Sequence, residues 1–202
     1  MDLTSPGCHS GPIRLEWQPN QFIWRCAMTD ILGEERSEMI DPSRFRKVLG
    51  HYPTGVCAIT AVDPEGNIAG MAVGSFTSVS LNPPLVAFLP DRSSTSWPKI
   101  ERAGKFCVNV LSAKQLDVCR RLASKAENKF EGLDYYLSKN GSPIIKDVVA
   151  WIDCDLERVD EAGDHYIVLG AVRDLQIESG NGSLLFSHGE YGGFSPLSTC
   201  SI

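Results

Sequence analysis

The chain is poor in several things that would have settled its class. No apolar run among its 202 residues approaches the roughly 20 needed for a membrane-spanning helix. The start has no signal-peptide core, because Phe22-Ile23-Trp24 is cut short by Arg25. No membrane role is therefore expected. Basic residues are outnumbered, 19 against 25 acidic, and the net charge of −6 argues against nucleic acid as the main partner. The seven cysteines (Cys8, Cys26, Cys57, Cys107, Cys119, Cys154 and Cys200) are odd in number and widely spaced, with no C-x-x-C pair. That does not read as a disulfide framework or a zinc site and points to a reducing cytoplasm. Four dispersed histidines (His9, His51, His165 and His188) suggest no metal cluster. There is no G-x-G-x-x-G after a strand and no P-loop. H-E-x-x-H is absent too, and Gly74-Ser75 does not fit a nucleophile elbow.

What is present reads as one globular domain with a tail at each end. Apolar residues make up 43% and charged residues 22%, enough for a real core. Residues 1–40 contain Pro6, Gly7, Gly11, Pro12 and Pro19 and hold no sustained period, so a poorly ordered or loosely docked extension is expected. Met28 leaves open that translation starts there. The other reading is an arm anchored on a partner subunit by Trp17, Phe22 and Trp24. The domain is expected over 41–197, with 198–202 as a short tail.

Within that domain a helix is predicted over Pro42–Leu49, capped by Asp41 or Ser43 and ended by Gly50. Strands are predicted over Val56–Val62, Ile68–Val79, Leu85–Leu89 and Phe106–Leu111. Helices are expected from Ser93 to about Arg102 and over Lys114–Ser124, and 125–142 reads as a surface excursion. Long strands, Val148–Val159 and His165–Ile177, are joined by the turn Glu161-Ala162-Gly163-Asp164, and Ser183–Ser187 is a last short strand. Cys57 and Cys107 fall inside apolar runs and read as packing residues. Many strands and few helices, without β-α-β alternation, predict a mainly β closed barrel with peripheral helices.

The richest segment is Gly70–Phe88, GMAVGSFTSVSLNPPLVAF. Gly70, Ala72 and Gly74 let another group approach the backbone, and Ser75, Thr77, Ser78 and Ser80 offer uncharged donors. That mixture suits a flat, polar-edged anionic ligand; a Ser/Thr-rich hairpin has the same composition. Ser93-Ser94-Thr95 reads as a phosphate cradle at a helix start or as a plain cap. His165 begins a strand beside a tight turn, where it can serve a ligand or the structure. The segment 187–194, SHGEYGGF, reads as a cover for a ring or as an exposed turn.

In order along the chain, FRKVLGHYPTGVCAIT (45–60), GMAVGSFTSVSLNPPLVAF (70–88), SSTSWPKIERAGKFCVNVL (93–111) and GDHYIVLGAV (163–172) resemble the flavin reductase family, with GEYGGF (189–194) as a fifth block. The resemblance implies an FMN-binding split β-barrel of Greek-key type, over roughly 41–197. It implies hydride transfer from NADH or NADPH to FMN or FAD, and release of reduced flavin to a separate flavin-dependent monooxygenase. Thr54 and the run Met71, Ala72, Val73, Ser75, Phe76, Thr77 and Ser78 would lie along the isoalloxazine and ribityl chain. Ser93, Ser94 and Thr95 would sit near the phosphate. His165, the catalytic candidate, would receive the nicotinamide with Tyr191 and Gly192. A homodimer is implied as well. Many relatives carry Asn where this chain has Gly74, so backbone N–H groups would replace that amide or the hold would loosen. Two other readings stay open: a split-barrel protein with tightly held flavin serving another acceptor, and a non-catalytic flavin-binding module.

Overall fold

The computed structural model describes residues 40–197, so the expected N-terminal extension, apart from Ile40, and the 198–202 tail lie outside the described residues. Helix α1 (Pro42–Leu49) is followed by β1 (Thr54–Gly55), β2 (Cys57–Val62), β3 (Ile68–Val73), β4 (Thr77–Leu81) and β5 (Pro84–Phe88). Then come α2 (Trp97–Ala103), β6 (Lys105–Val110), α3 (Leu116–Ala123), β7 (Tyr135–Leu137) and β8 (Pro143–Ile145). The long pair β9 (Ala150–Ala162) and β10 (His165–Ile177) precedes β11 (Leu184–Ser187) and β12 (Glu190–Gly193). The expected mainly β architecture is present. No helix among the described residues is long and apolar enough to cross a membrane.

Seven strands form one sheet in the order β3-β2-β6-β9-β10-β5-β4. Strands β3 and β4 are consecutive in the chain yet lie at opposite edges. Seven strands laid flat would put those edges about 29 Å apart. The link Gly74–Phe76 lets Val73 and Thr77 separate by at most about 14 Å. The sheet must therefore coil until its edges approach. The β9–β10 hairpin supports that coil with staggered neighbours. Its root, Ala150–Asp155, pairs with β6, and the segment Val168–Ala171 nearer its tip pairs with β5. No ladder joins β3 to β4 among the described residues, so the expected closed barrel is corrected to a coiled, open sheet.

Two further expectations need correction. The predicted strand Ile68–Val79 is broken at Gly74–Phe76, where the chain crosses between the edges. There the Ser75 hydroxyl accepts from the Leu89 N–H at 2.9 Å and donates to the Leu89 carbonyl, extending the β4–β5 pairing with side-chain bonds. The helix expected from Ser93 starts only at Trp97, because Ser94 Oγ accepts the N–H groups of Ser96 and Trp97 and holds the preceding residues in a loop.

Apolar residues fill both faces of β2 and β6. Ile59, Phe106 and Val108 join Phe88, Trp97 and Ile100 inside the coil. Ala58 and Cys107 join Leu122, Ile144 and Leu184 on the other face. Gly170 on β10 makes room for the buried Phe106 ring, since a Cβ there would lie 2.4 Å from Phe106 Cζ. Buried Asn109 links three strands: it donates to Thr60 Oγ1 at 3.0 Å on β2 and accepts from Ile145 N at 2.8 Å on β8. Cys57 and Cys107 are buried, as expected of packing residues, and burial pushes the Cys57 thiol up to about 12.

Candidate functional site

Among the described residues strand β3 has one unpaired edge, and its sequence there is small: Ala69, Gly70 and Ala72, with Gly74 just beyond. Three adjoining hollows follow it. The first, about 210 Å³, is lined by Thr54, Ala72, Gly74, Cys119, Phe186 and Tyr191, among others. The second, about 170 Å³, includes Met71, Ala72, Asp91, Ser93–Thr95 and Lys125. The third, about 230 Å³, includes Gly70, Thr95, Ser96, Lys99, Lys125 and Lys129. Ala72 and Ala123 are common to the first two, and Thr95, Lys125 and Lys129 to the last two, so the hollows form one groove.

Gly74 sets the shape of the first hollow. A Cβ at Gly74 would lie 2.9 Å from Thr54 Oγ1, so a side chain here would displace the threonine. Tyr191 on β12 forms the opposite wall, its ring 5.0 Å from Phe186 and its hydroxyl 3.6 Å from Cys119 Sγ. Gly192 follows it on β12, paired with Leu185. Val73 lines the hollow too, but Ser75, Phe76, Thr77 and Ser78 do not line any of the three. Phe76 packs on the core, and the Thr77 hydroxyl donates to the Ser78 carbonyl on the exposed edge strand.

The loop Ser93–Thr95 is less open than its composition suggests. Asp91 Oδ1 accepts the Ser93 N–H at 2.6 Å, and the Asp91 carbonyl accepts that of Ser94 at 3.0 Å. Bonds from Ser93, with His165 and Lys125 nearby, hold the Asp91 carboxyl below the usual carboxylate range. Thr95 has no protein partner for its N–H among the described residues and lies on the boundary of the second and third hollows.

The sequence reading missed the most unusual side chain of the groove. Lys129 lies in the supposed surface excursion but is only 8% exposed. Its ammonium donates to the Leu122 carbonyl at 2.9 Å, to Ser96 Oγ at 3.0 Å and to the Gly70 carbonyl at 3.3 Å. All three acceptors are neutral. The Leu122 carbonyl belongs to the last turn of α3, where a cation meets the helix dipole favourably. Burial, with Lys99 close by, lowers the Lys129 pKa below the ordinary lysine value. None of Lys99, Lys125 and Lys129 forms an ion pair among the described residues. A polar stretch without apolar period gives no sign that one lysine turns inward.

His165 opens β10 and is bridged to Asp91. Its Nδ1–H donates to Asp164 Oδ1 at 2.8 Å, which depresses the Asp164 carboxyl and leaves Nε2 without a protein partner among the described residues. It therefore stands beside the serine loop. Tyr191 belongs to the first hollow and Gly192 follows it, and among the described residues no hydrogen bond and no shared hollow joins them to His165.

A groove floored by small residues and ended by cations fits a flat ring that carries phosphate. Residues 49–195 match the family model of the flavin reductase like domain. The chain belongs to the flavin reductase family. A flavin reductase of Pseudomonas putida is 71% identical over 170 residues, covering 84% of this chain and 100% of that protein. The reductase subunit HsaB of a flavin-dependent monooxygenase from Rhodococcus jostii is 45% identical over 174 residues, 85% and 89% of the two chains. The NADH:FAD oxidoreductase SgcE6 of Streptomyces globisporus, solved with NAD and FAD fragments, superposes with a TM-score of 0.73 at 34% identity, over 80% of this chain and 99% of that one.

Proposed function

We propose that this flavin reductase family member, through residues 41–197, uses NADH or NADPH to reduce FMN or FAD and releases the reduced flavin to a separate flavin-dependent monooxygenase. The observation that carries the reading is the continuous groove along β3, from Thr54 and Gly74 to three lysines that form no ion pair among the described residues. The names of the relatives support the two-component arrangement.

A bound flavin supplies the hydride-accepting ring. Ala72 and Gly74 allow a planar group close to the backbone, with Thr54 and Tyr191 at its margins. Thr95 offers a free N–H and Lys125 a cation to a phosphate. His165, oriented by Asp164, keeps Nε2 open to orient the nicotinamide nucleotide. A groove open to solvent is consistent with a flavin that leaves after reduction.

The coiled sheet is read as the split barrel of the family, and the protein as a homodimer. Among the described residues, helix α1 buries none of its side chains: Phe45, Val48 and Leu49 are 53%, 60% and 54% exposed. Eight residues make a marginal helix in water unless something covers the apolar face. A second copy is the proposed cover, and light scattering that finds a monomer at working concentration would remove it. The unpaired thiols Cys57, Cys107, Cys119 and Cys154 support a cytoplasmic setting.

The deciding experiment mixes purified protein with each nicotinamide and each flavin and follows the nicotinamide absorbance. Flavin-dependent loss of absorbance is expected. No loss in any of the four pairings removes the reading.

A further inference from the structure

The histidines are scattered in sequence, but the fold brings two of them together. Strand β1 pairs with β11 in the register Thr54↔Phe186, so the chain just before β1 runs beside the turn just after β11. His51 lies in the first of these segments and His188 in the second. Their ring centres are 4.3 Å apart, with the planes at 62°. The His188 N–H donates to the Gly50 carbonyl at 2.6 Å and holds the two segments side by side.

Each ring has one nitrogen engaged and one free. His51 Nδ1 lies 2.8 Å from the Lys47 carbonyl, which only accepts, so Nδ1 carries the proton and Nε2 the lone pair. His188 Nδ1 lies 2.8 Å from Ser187 Oγ. Neither Nε2 has a protein partner among the described residues, and both histidines are exposed. A partner on the outer nitrogen fixes the tautomer and orientation of a metal-binding imidazole.

The backbone at His188 is a second, independent sign. Ser187 pairs with Glu190, so His188-Gly189 is a two-residue hairpin loop, and both residues have positive φ, 55° and 80°. Such a turn favours Asn-Gly or Asp-Gly. A histidine in the first place takes left-handed backbone that Asn would take more easily, and its ring stands against His51.

Two imidazoles on neighbouring corners of one ion, with metal–nitrogen bonds of about 2.0–2.1 Å, put their ring centres roughly 4.5–5 Å apart. The observed spacing is short of that by less than about 1 Å, which a small rotation of exposed side chains supplies. No group of three His, Cys, Asp or Glu forms a metal cluster among the described residues, so the remaining positions on the ion fall to water. The charges nearby are mixed. The C-terminal end of α1 favours a cation through its dipole, whereas Arg46 and Lys47 in its last turn oppose one.

We infer that His51 and His188 bind one divalent transition ion of the imidazole-preferring class, Zn(II), Ni(II) or Cu(II), and that the ion clamps the loop before β1 to the β11–β12 hairpin. Thr54 follows His51 by three residues and Tyr191 follows His188 by three, so the clamp ties together two walls of the first hollow. Neither histidine lines the groove itself.

Untagged full-length protein is titrated with NiCl2 and with ZnCl2 by calorimetry, and its melting is followed with each ion. One ion per chain should bind, and a saturating excess should raise Tm by at least about 3 °C. His188→Asn keeps the turn, because Asn accepts positive φ, so its metal-free Tm should stay within about 2 °C of wild type. That variant and His51→Gln should each weaken binding at least about tenfold and lose the rise in Tm. MgCl2, which prefers oxygen ligands, should produce neither heat nor a shift. Undiminished binding in His188→Asn places the ion elsewhere on the chain and overturns the inference. Absence of binding to the wild type at about 1 mM ion overturns it too. Both failures leave the flavin reductase reading intact, since that reading uses neither histidine.

Discussion

Replacing Lys129 by Met tests whether one buried lysine holds the groove together. Its ammonium connects edge strand β3 through Gly70, the start of α2 through Ser96 and the end of α3 through Leu122. Methionine keeps the stem's bulk and removes the donor and the charge. Two carbonyls and a hydroxyl then lose a partner, at about 1–3 kcal/mol each if no water replaces it. Against that stands the several kcal/mol of ammonium desolvation, which the substitution relieves. Water entering from the adjoining hollows lowers the first figure further. The balance is a destabilisation of about 2–4 kcal/mol, or roughly 5–15 °C in Tm for a domain of this size. Urea denaturation followed by circular dichroism reads the change. A variant within about 0.5 kcal/mol of wild type refutes the claim that the lysine joins the three elements.

Other substitutions and conditions probe separate steps. Gly170→Ala drives a methyl against Phe106 and should destabilise the coil by about 1–3 kcal/mol, with Phe106→Leu restoring part of the loss; an additive double mutant would contradict the contact. Below its lowered pKa, Lys129 is charged in both folded and unfolded chains, and its burial cost is borne. Between that value and the ordinary 10.5 the unfolded chain holds the extra proton, so this group's contribution makes stability rise with pH through that window. Over the same window a phosphate-bearing flavin should lose affinity, whereas riboflavin should not; parallel losses for both would clear Lys129 of any role toward phosphate. His165→Ala should raise the KM for the nicotinamide or lower kcat while Tm stays within about 2 °C. Unchanged kinetics with both NADH and NADPH would end its assignment.

Local chemistry was readable where it acts over a few residues. Asp41 caps α1 through the Arg44 N–H, and β10 spans His165–Ile177 as its apolar pattern and flanking turn predict. Break points were less readable. Ile68–Val79 reads as one strand because no proline or charged residue marks Gly74–Phe76, and the need to join opposite sheet edges interrupts it. Likewise, Ser93-Ser94-Thr95 has the composition of a cap, and Asp91, through its carboxylate and its carbonyl, decides which amides remain free.

Residue identity alone settled the class of this protein: a mainly β chain, small and hydroxylated around 70–80, with the ordered blocks of the flavin reductase family. Those are properties of neighbours in sequence, where backbone freedom, turn formation and hydrogen-bonding capacity belong to the residues themselves. The groove belongs to the folded chain. Thr54, Gly74, Lys99, Lys129 and Tyr191 come from distant segments, and only the packing of α2, a loop and the three-stranded sheet against β3 brings them along one edge. Whether a lysine points into solvent or into a wall of carbonyls depends on long-range packing, and no local pattern encodes it.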